Sequence, residues 1–172
     1  MRTVFRFAIS VLPLIGVATF AGPANARQAA AAPAAFSAPP NTIVIKTRER
    51  KLYYVQSDGS VLRYTVGVGR QGKQWSGESY IDGKYIRPAW SPPEEIRAEQ
   101  PNLPIVIPAG APNNPMGAAA MTLAGGEYAI HGTNAPNSIG GFVSYGCIRM
   151  YNQDIVDLFD RVQVGTRVIF EN

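Results

Sequence analysis

Residues 42–68 read TIVIKTRERKLYYVQSDGSVLRYTVGV, and this stretch contains three runs that are rich in β-branched and aromatic residues. The first two runs, 42–47 and 51–56, are separated by the charged triplet RER, and the turn sequence SDGS leads into the third run, 61–68. Runs of this composition between turn residues are typical of β-strands. We therefore expect the first part of the fold to be an antiparallel meander.

Two later runs and two short helices complete the expected secondary structure. Residues 127–131 and 166–170 are bounded by glycine and should extend the sheet. The sequence SPPE at 91–94 has the pattern of a capping box with proline in the first turn, which predicts the start of a helix. A second helix is expected behind Asn152, a candidate N-cap, because apolar residues recur there with helical spacing. These apolar residues are Ile155, Leu158, Phe159 and Val162.

Turn-forming residues are frequent in the chain, which has 17 Gly and 14 Pro among its 172 residues. Such a composition predicts many turns and few long helices, so we expect one mainly β domain with an appendage. Residues 101–126 are rich in Pro, Gly and Ala and are expected to form a long connection. Connections of this length often serve as the lid or the wall of a functional site.

The composition excludes several classes of protein. One Cys cannot form an internal disulfide, and one Cys with one His cannot supply the ligands of a typical structural zinc site. The sequence GVGRQG at 67–72 matches the dinucleotide pattern G-x-G-x-x-G, but no amphipathic helix follows it, and a meander lacks the required β-α-β unit. No Lys/Arg cluster with interleaved aromatic residues is present, so we expect no nucleic-acid partner.

The N-terminus has the three parts of a secretory signal peptide. Two arginines precede an apolar run over 7–21, and the small residues ANA end at Ala26. The alternatives are a buried helix and an uncleaved anchor, but the run is shorter than the ~20 residues of a membrane span and contains Pro13 and Gly16. Removing residues 1–26 leaves 14 basic and 12 acidic residues, a formal charge of +2. We expect an exported protein without stable membrane insertion after cleavage, and an Ala/Pro-rich linker over 27–41.

The single histidine and the single cysteine lie 16 residues apart, in HGTN at 131–134 and SYGCIRM at 144–150. A cysteine attacks an acyl carbon best as a thiolate, and a nearby imidazole can accept its proton. The alternatives are a small buried cysteine and a histidine satisfied within a strand. If His131 does activate Cys147, the thiol should be alkylated well below its ordinary pKa of ~8.5.

The residues around the cysteine also suit acyl transfer. Gly146 permits a tight backbone in which the amides of Gly146 and Cys147 can point at one spot, as in an oxyanion hole. Arg149 can bind a substrate carboxylate with two hydrogen bonds, or it can brace the loop.

These motifs resemble the signature of the bacterial L,D-transpeptidases, the YkuD-like peptidoglycan enzymes. The resemblance runs from about residue 42 to the C-terminus and includes VGVGR at 66–70, WSG at 75–77 and NPMG at 114–117. It implies a β-sandwich-like catalytic domain over 42–172 in which Cys147 is the nucleophile and His131 is the base.

The resemblance also implies roles for neighbouring residues. The backbone carbonyl of Gly132 would orient the imidazole. Tyr145 stands where the family often has a second His, and we expect it to tune substrate fit without handling the essential proton. Four further residues are expected to contact substrate or to brace the site. They are Ser144, Arg149, Asn134 and Trp75.

By the same resemblance, Cys147 would attack the L-centre carbonyl of the third residue of a tetrapeptide stem and release D-Ala. An amine would resolve the thioester, giving a 3-3 cross-link, exchange of a D-amino acid or attachment of an outer-membrane lipoprotein. The implied location is the periplasm, in association with the cell wall, and no cofactor or metal is required. The alternatives are an L,D-carboxypeptidase and a non-catalytic wall-binding module. A sortase-like arrangement is disfavoured because its Cys and Arg come from separate strands.

Overall fold

The predicted meander forms the first three strands of the protein. In the computed structural model, which describes residues 37–126 and 128–172, these strands are β1 (Thr42–Lys46), β2 (Lys51–Val55) and β3 (Val61–Thr65). Strand β2 pairs antiparallel with both β1 and β3. The prediction of a meander is therefore confirmed, although the third run ends at Thr65.

Over residues 37–126 and 128–172, seven more strands, two α-helices and a short 3-10 helix (Pro136–Ser138) complete the domain. The strands are β4 (Val68–Gly69), β5 (Gly77–Ile86), β6 (Ala119–Leu123), β7 (Ala129–His131), β8 (Phe142–Ser144), β9 (Ile148–Arg149) and β10 (Arg167–Glu171). The helices are α1 (Glu94–Glu99) and α2 (Asn152–Arg161).

Eight of the strands form one sheet in the order β3-β2-β1-β10-β5-β6-β7-β9, and β4 pairs with β8 in a small second sheet. The first half of β5 pairs with β10 and the second half pairs with β6, with a register shift between Ile81 and Gly83. Side chains from both halves of the large sheet, such as Ile43 and Met121, share one buried cluster. The halves therefore enclose a common core, and the expected mainly β, sandwich-like fold is confirmed.

Strands β5 and β6 were not predicted. The inward positions of β5 include Ser79 and Gly83, so only Ile81 gives an apolar signal on that face. Strand β6 lies inside the segment 101–126, where a long connection was expected, and it begins with two buried alanines. Alanine is a weak strand former, and the segment is held as a strand by antiparallel pairing with both β5 and β7. The prediction of a connection over 101–126 was therefore wrong for residues 119–123.

Both helices lie near the expected positions, but the residues expected to cap their N-termini do not do so. Helix α1 begins after Pro93, and no side chain caps it, so the capping box at 91–94 is absent. Helix α2 begins after Tyr151, and Asn152 is its first helical residue. The apolar face of α2 is confirmed, since Ile155 and Leu158 are fully buried.

Expectations for the N-terminus lie mostly outside the described residues. The signal peptide over 1–26 and most of the linker over 27–41 fall before residue 37. Within the predicted linker, Ala38 packs against a small buried cluster of residues from β1, β2 and β3. The Asn41 amide donates to the Val55 carbonyl over 2.7 Å. None of the helices in the described part of the chain is both long and apolar enough to cross a bilayer.

Candidate active site

Strands β7 and β9 bring the single histidine and the single cysteine to the same side of the sheet. They pair in parallel, with Ile130 opposite Ile148 and His131 opposite Arg149. Both isoleucines belong to the buried core, so His131 and Arg149 face the other way. Cys147, two residues before Arg149, lies beside the backbone of strand β7 at Ala129 and is a diagonal neighbour of His131.

The His131 ring is held by the backbone of the next residue. Its Nδ1 lies 2.7 Å from the Gly132 carbonyl oxygen, which can only accept a hydrogen bond, so Nδ1 carries the proton and Nε2 is the basic nitrogen. Burial lowers the pKa of His131 to about 4, although the Gly132 and Pro115 backbones act in the opposite direction. The imidazole is therefore neutral at physiological pH.

The Cys147 thiol is also held in its neutral form. Burial raises its pKa above the ordinary value, and this outweighs the Ala129 backbone hydrogen bond and the Arg149 charge, which both favour the thiolate. This direction is opposite to the ionisation well below pH ~8.5 that was expected if His131 activates the thiol. Within 37–126 and 128–172, no hydrogen bond joins the sulfur of Cys147 to the imidazole.

The guanidinium of Arg149 is partly buried next to the cysteine. Burial lowers its pKa, while the neighbouring Cys147 and Tyr145 side chains act to raise it. Among the residues that the structure describes, no carboxylate forms an ion pair with Arg149 and no side chain accepts a hydrogen bond from it. The site therefore holds a cation whose donors are available to an anionic group.

The Ser144 hydroxyl forms two hydrogen bonds with the backbone of the loop that carries the cysteine. Its hydroxyl donates to the Cys147 carbonyl over 2.5 Å and accepts from the Gly146 amide over 3.1 Å. The prediction that the Gly146 amide points at the same spot as the Cys147 amide was therefore wrong, because it points at Ser144. Gly146 is required at its position: its φ is +124°, and an added Cβ would lie 2.3 Å from the ring of Tyr128.

Trp75 lies behind the cysteine loop. Its indole Nε1 donates to the Gly146 carbonyl over 3.4 Å. Its ring stacks on Phe170, with 3.7 Å between centroids, and on Tyr128, with 5.2 Å. The structure therefore places Trp75 in contact with the loop and the core. Asn134 makes a different contact, donating to the Asn113 carbonyl over 2.9 Å.

Tyr145 points toward helix α1. Its hydroxyl donates to the Glu99 carboxylate, and the Arg70 guanidinium lies over its ring at 4.0 Å from the centroid. Arg70 also forms two hydrogen bonds with Glu99. Tyr145 thus joins the segment before the cysteine to α1, and its phenol takes no part in a proton relay with His131 in this structure.

Asn152 is a site residue that the sequence did not reveal. Its side-chain oxygen accepts from the amides of Ala118 and Thr133, each over 3.0 Å, and its amide donates to the Thr133 carbonyl. It therefore clasps the backbone that follows His131. The nearest signal in the sequence was Gly117, which belongs to the motif NPMG. The structure shows why a glycine is needed there, since an added Cβ on Gly117 would lie 2.2 Å from the side-chain oxygen of Asn152.

No group of three or more His, Cys, Asp or Glu residues that could hold a metal ion occurs in the described part of the chain. The chemistry that this arrangement supports on its own is proton transfer from a thiol to a neutral imidazole next to a cation. These are the components of nucleophilic catalysis by cysteine.

Comparison with known proteins places this arrangement among related sequences. Residues 40–170 match the YkuD family, described as the L,D-transpeptidase catalytic domain. The chain is 44% identical over 138 residues to the "Probable L,D-transpeptidase YbiS" of Escherichia coli K12, covering 74% of this chain and 44% of that protein. It is 42% identical over 135 residues to the E. coli K12 "Probable L,D-transpeptidase ErfK/SrfK", covering 73% and 42%. The chain thus spans less than half the length of these curated relatives.

A solved structure shows the same fold. The NMR structure of the catalytic domain from E. faecium L,D-transpeptidase superposes with a TM-score of 0.60 at 17% identity. The match covers 79% of this chain and 100% of that domain. At this level of identity, the similarity is one of fold.

Proposed function

The chain belongs to the L,D-transpeptidase catalytic-domain family, and from this membership we propose that it is a cysteine acyltransferase that acts on the stem peptides of peptidoglycan. The observation that carries the proposal is the placement of Cys147, His131 and Arg149 on one side of paired strands β7 and β9. Their neighbourhood supplies a nucleophile, a neutral base and a cation without an ion-pair partner among the described residues.

The reaction begins when His131 Nε2 accepts the Cys147 proton as the sulfur attacks the L-centre carbonyl of the third stem residue. A C–S bond forms, and the carbonyl π electrons move to oxygen. When the tetrahedral intermediate collapses, the C–N bond to D-Ala breaks, and the imidazolium gives its proton to the leaving amine. The products of this half-reaction are a thioester on Cys147 and free D-Ala.

The second half-reaction reverses these roles. An acceptor amine attacks the thioester and loses a proton to His131, after which the C–S bond breaks and the sulfur regains the proton. The amine of a second stem gives a 3-3 cross-link, while a D-amino acid or a lipoprotein lysine gives the other expected products. We propose the stem amine as the acceptor, with water as the competing hydrolytic route.

Arg149 is proposed to bind the carboxylate of the stem peptide. A guanidinium that already braced the loop through a carboxylate would have that partner within the fold, whereas none is found in the described residues. Guanidinium and carboxylate groups match in geometry and form paired hydrogen bonds. This role would place the stem carboxylate near Cys147.

The location proposed for the enzyme follows from its substrate. The predicted signal peptide over 1–26 would direct the chain to the periplasm, and the linker over 27–41 would separate the cleavage site from the catalytic domain. Peptidoglycan stems would be accessible there.

Product analysis tests the proposed reaction. The protein is incubated with a disaccharide-tetrapeptide as the sole donor and acceptor, and products are identified by mass spectrometry. We expect a cross-linked dimer that has lost one D-Ala for each bond formed, and no dimer with Cys147→Ala. Disaccharide-tripeptide alone would indicate a carboxypeptidase, and substrate that is bound but unchanged would indicate a wall-binding module. Either result would overturn the proposed transpeptidation.

A further inference from the structure

The orientation of one peptide group in the cysteine loop is set by Trp75. The indole Nε1 donates to the Gly146 carbonyl, with 3.4 Å between the two atoms. The peptide bond between Gly146 and Cys147 is trans, since no cis bond occurs in the described residues. In a trans peptide, the carbonyl and the N–H point in opposite directions. The Cys147 N–H therefore points away from the indole.

The two sides of this peptide are different environments. On the indole side lies the aromatic stack of Trp75, Tyr128 and Phe170, which packs against the core. The Cys147 N–H is directed to the other side, and it has no hydrogen-bond partner within 37–126 and 128–172. The neighbouring Gly146 amide is engaged by the Ser144 hydroxyl. Of the two amides, the Cys147 amide is thus the one available to a ligand.

We propose that Trp75 is a positioning residue that directs the Cys147 N–H at the substrate carbonyl oxygen. This inference rests on the proposed function, because it concerns the tetrahedral intermediate that forms on Cys147. As the C–S bond forms, the carbonyl oxygen takes up an electron pair, and the Cys147 N–H donates to that oxygen until the C–N bond breaks. Donors held in advance at the place where charge develops lower the barrier to acyl transfer.

The indole is needed because Gly146 cannot fix this peptide by itself. Gly146 has a φ of +124° and carries no side chain, so the peptide plane has more freedom to rotate than at other residues. Stacking on Phe170 holds the indole, and its N–H then holds the Gly146 carbonyl. Ser144 restrains the Cys147 carbonyl, which lies on the far side of the same residue.

Two reactions of the same sulfur separate positioning from packing. Acylation by a tetrapeptide stem passes through an oxyanion, whereas alkylation by iodoacetamide takes place at a saturated carbon and forms none. In Trp75→Phe, which keeps an aromatic ring and removes the N–H, we expect acylation to slow about 10- to 100-fold. The alkylation rate should remain within about twofold of the wild type, since the thiol and its surroundings are retained.

The matched control is Trp90→Phe, which makes the same exchange at the other tryptophan of the chain, whose backbone pairs with that of Ile107. It should leave both rates unchanged. Should Trp75→Phe fold poorly, replacement of Trp75 by 3-benzothienylalanine exchanges only the N–H for sulfur and should give the same separation of rates.

Three outcomes overturn the inference. Acylation by the Trp75 variants at the wild-type rate would show that the indole N–H does not orient the donor. An equal loss of acylation and alkylation would show that Trp75 acts only through packing. If wild-type protein is not acylated at Cys147, the proposed function itself fails, and the inference fails with it.

Discussion

At the scale of the residue, burial sets the protonation of the two reactive groups. It lowers the pKa of His131 to about 4 and raises that of Cys147, so the proton resides on the sulfur and the ring is neutral. For the proposed reaction, these protonation states predict general-base catalysis on substrate arrival, without a preformed thiolate-imidazolium pair. This differs from the expectation drawn from the motif, because the sequence shows that a His and a Cys are close but not how deeply each is buried.

The pH dependence of acylation tests this protonation state. The rate of Cys147 acylation by a stem peptide should stay near its plateau as pH falls and should halve only near pH 4, since the imidazole remains neutral above its pKa of about 4. The rate of alkylation of the same thiol should reach half of its maximum only at a pH above the ordinary cysteine pKa of ~8.5, because burial raises the pKa of Cys147. Stopped-flow measurement of both rates provides the profiles. An acylation midpoint near pH 6.5, the ordinary value for histidine, would contradict the assignment.

At the scale of the element, helix α1 is attached to the site by polar contacts. It has no buried residue. Glu99 meets Arg70 and Tyr145, and Glu95 lies 2.5 Å from the Lys73 ammonium. Hydrogen bonding to Arg70 lowers the pKa of Glu99 to about 2, so these contacts persist at neutral pH.

Removal of the Glu99 charge should release this helix. In Glu99→Gln, the amides of residues 94–100 should exchange hydrogen several-fold faster than in the wild type, because few apolar contacts replace the lost ion pair. The matched control is Glu94→Gln on the same helix, which removes an equal charge that has no ion pair among the described residues and should speed exchange less than Glu99→Gln does. Hydrogen exchange followed by mass spectrometry measures both, and equal exchange in the two variants would disprove the fastening role of Glu99.

The C-terminal end of helix α2 depends on strand β5. The ammonium of Lys84 donates to the carbonyls of Phe159 and Val162, each over 2.6 Å, and lies over the Phe159 ring. Hydrogen bonds from a charged group to the last carbonyls of a helix are stabilising. Lys84→Met should therefore lower the free energy of unfolding by about 2 kcal/mol. Urea denaturation measures the loss, and an unchanged midpoint would show that Lys84 contributes nothing there.

Sequence patterns predicted those strands and helices whose buried positions are occupied by apolar residues. Strands β1 to β3 present Ile43, Leu52 and Tyr64 to the core and were predicted. Strand β5 was not predicted, since its inward residues include Ser79 and Gly83. Its pairing with two different strands depends on contacts that are distant in sequence. The candidate site was predicted from the scarcity and spacing of Cys and His and from the resemblance of their motifs to a family signature, and its roles remain predictions. The hydrogen-bond partners of Asn152 were not predicted, because they lie 19 and 34 residues away in the sequence.

At the scale of the whole molecule, the buried histidine makes stability depend on pH. The folded-state pKa of His131 is about 4 and its ordinary value is 6.5, so only the unfolded chain binds a proton on this residue between those values. The contribution of neutral His131 to the free energy of unfolding is therefore fully present above pH 6.5 and is lost as the pH falls toward 4.

A histidine variant isolates this contribution. Between about pH 7.5 and about pH 4, the wild type should lose about 3 kcal/mol more stability than His131→Asn, since a pKa difference of one unit corresponds to about 1.4 kcal/mol. The carboxylates contribute similarly to both proteins and cancel in the comparison. Urea unfolding at the two pH values provides the difference, and parallel losses would show that His131 is not buried in its neutral form.

The central claim for the whole molecule is that Cys147 carries the acyl group during turnover. The most direct measurement is the mass of the intact protein after rapid mixing with a tetrapeptide stem, followed by peptide mapping of any adduct. We expect a thioester-linked tripeptide unit on Cys147, one free D-Ala for each adduct, and neither product with Cys147→Ala. An adduct on another residue, or release of D-Ala by Cys147→Ala at the wild-type rate, would contradict it.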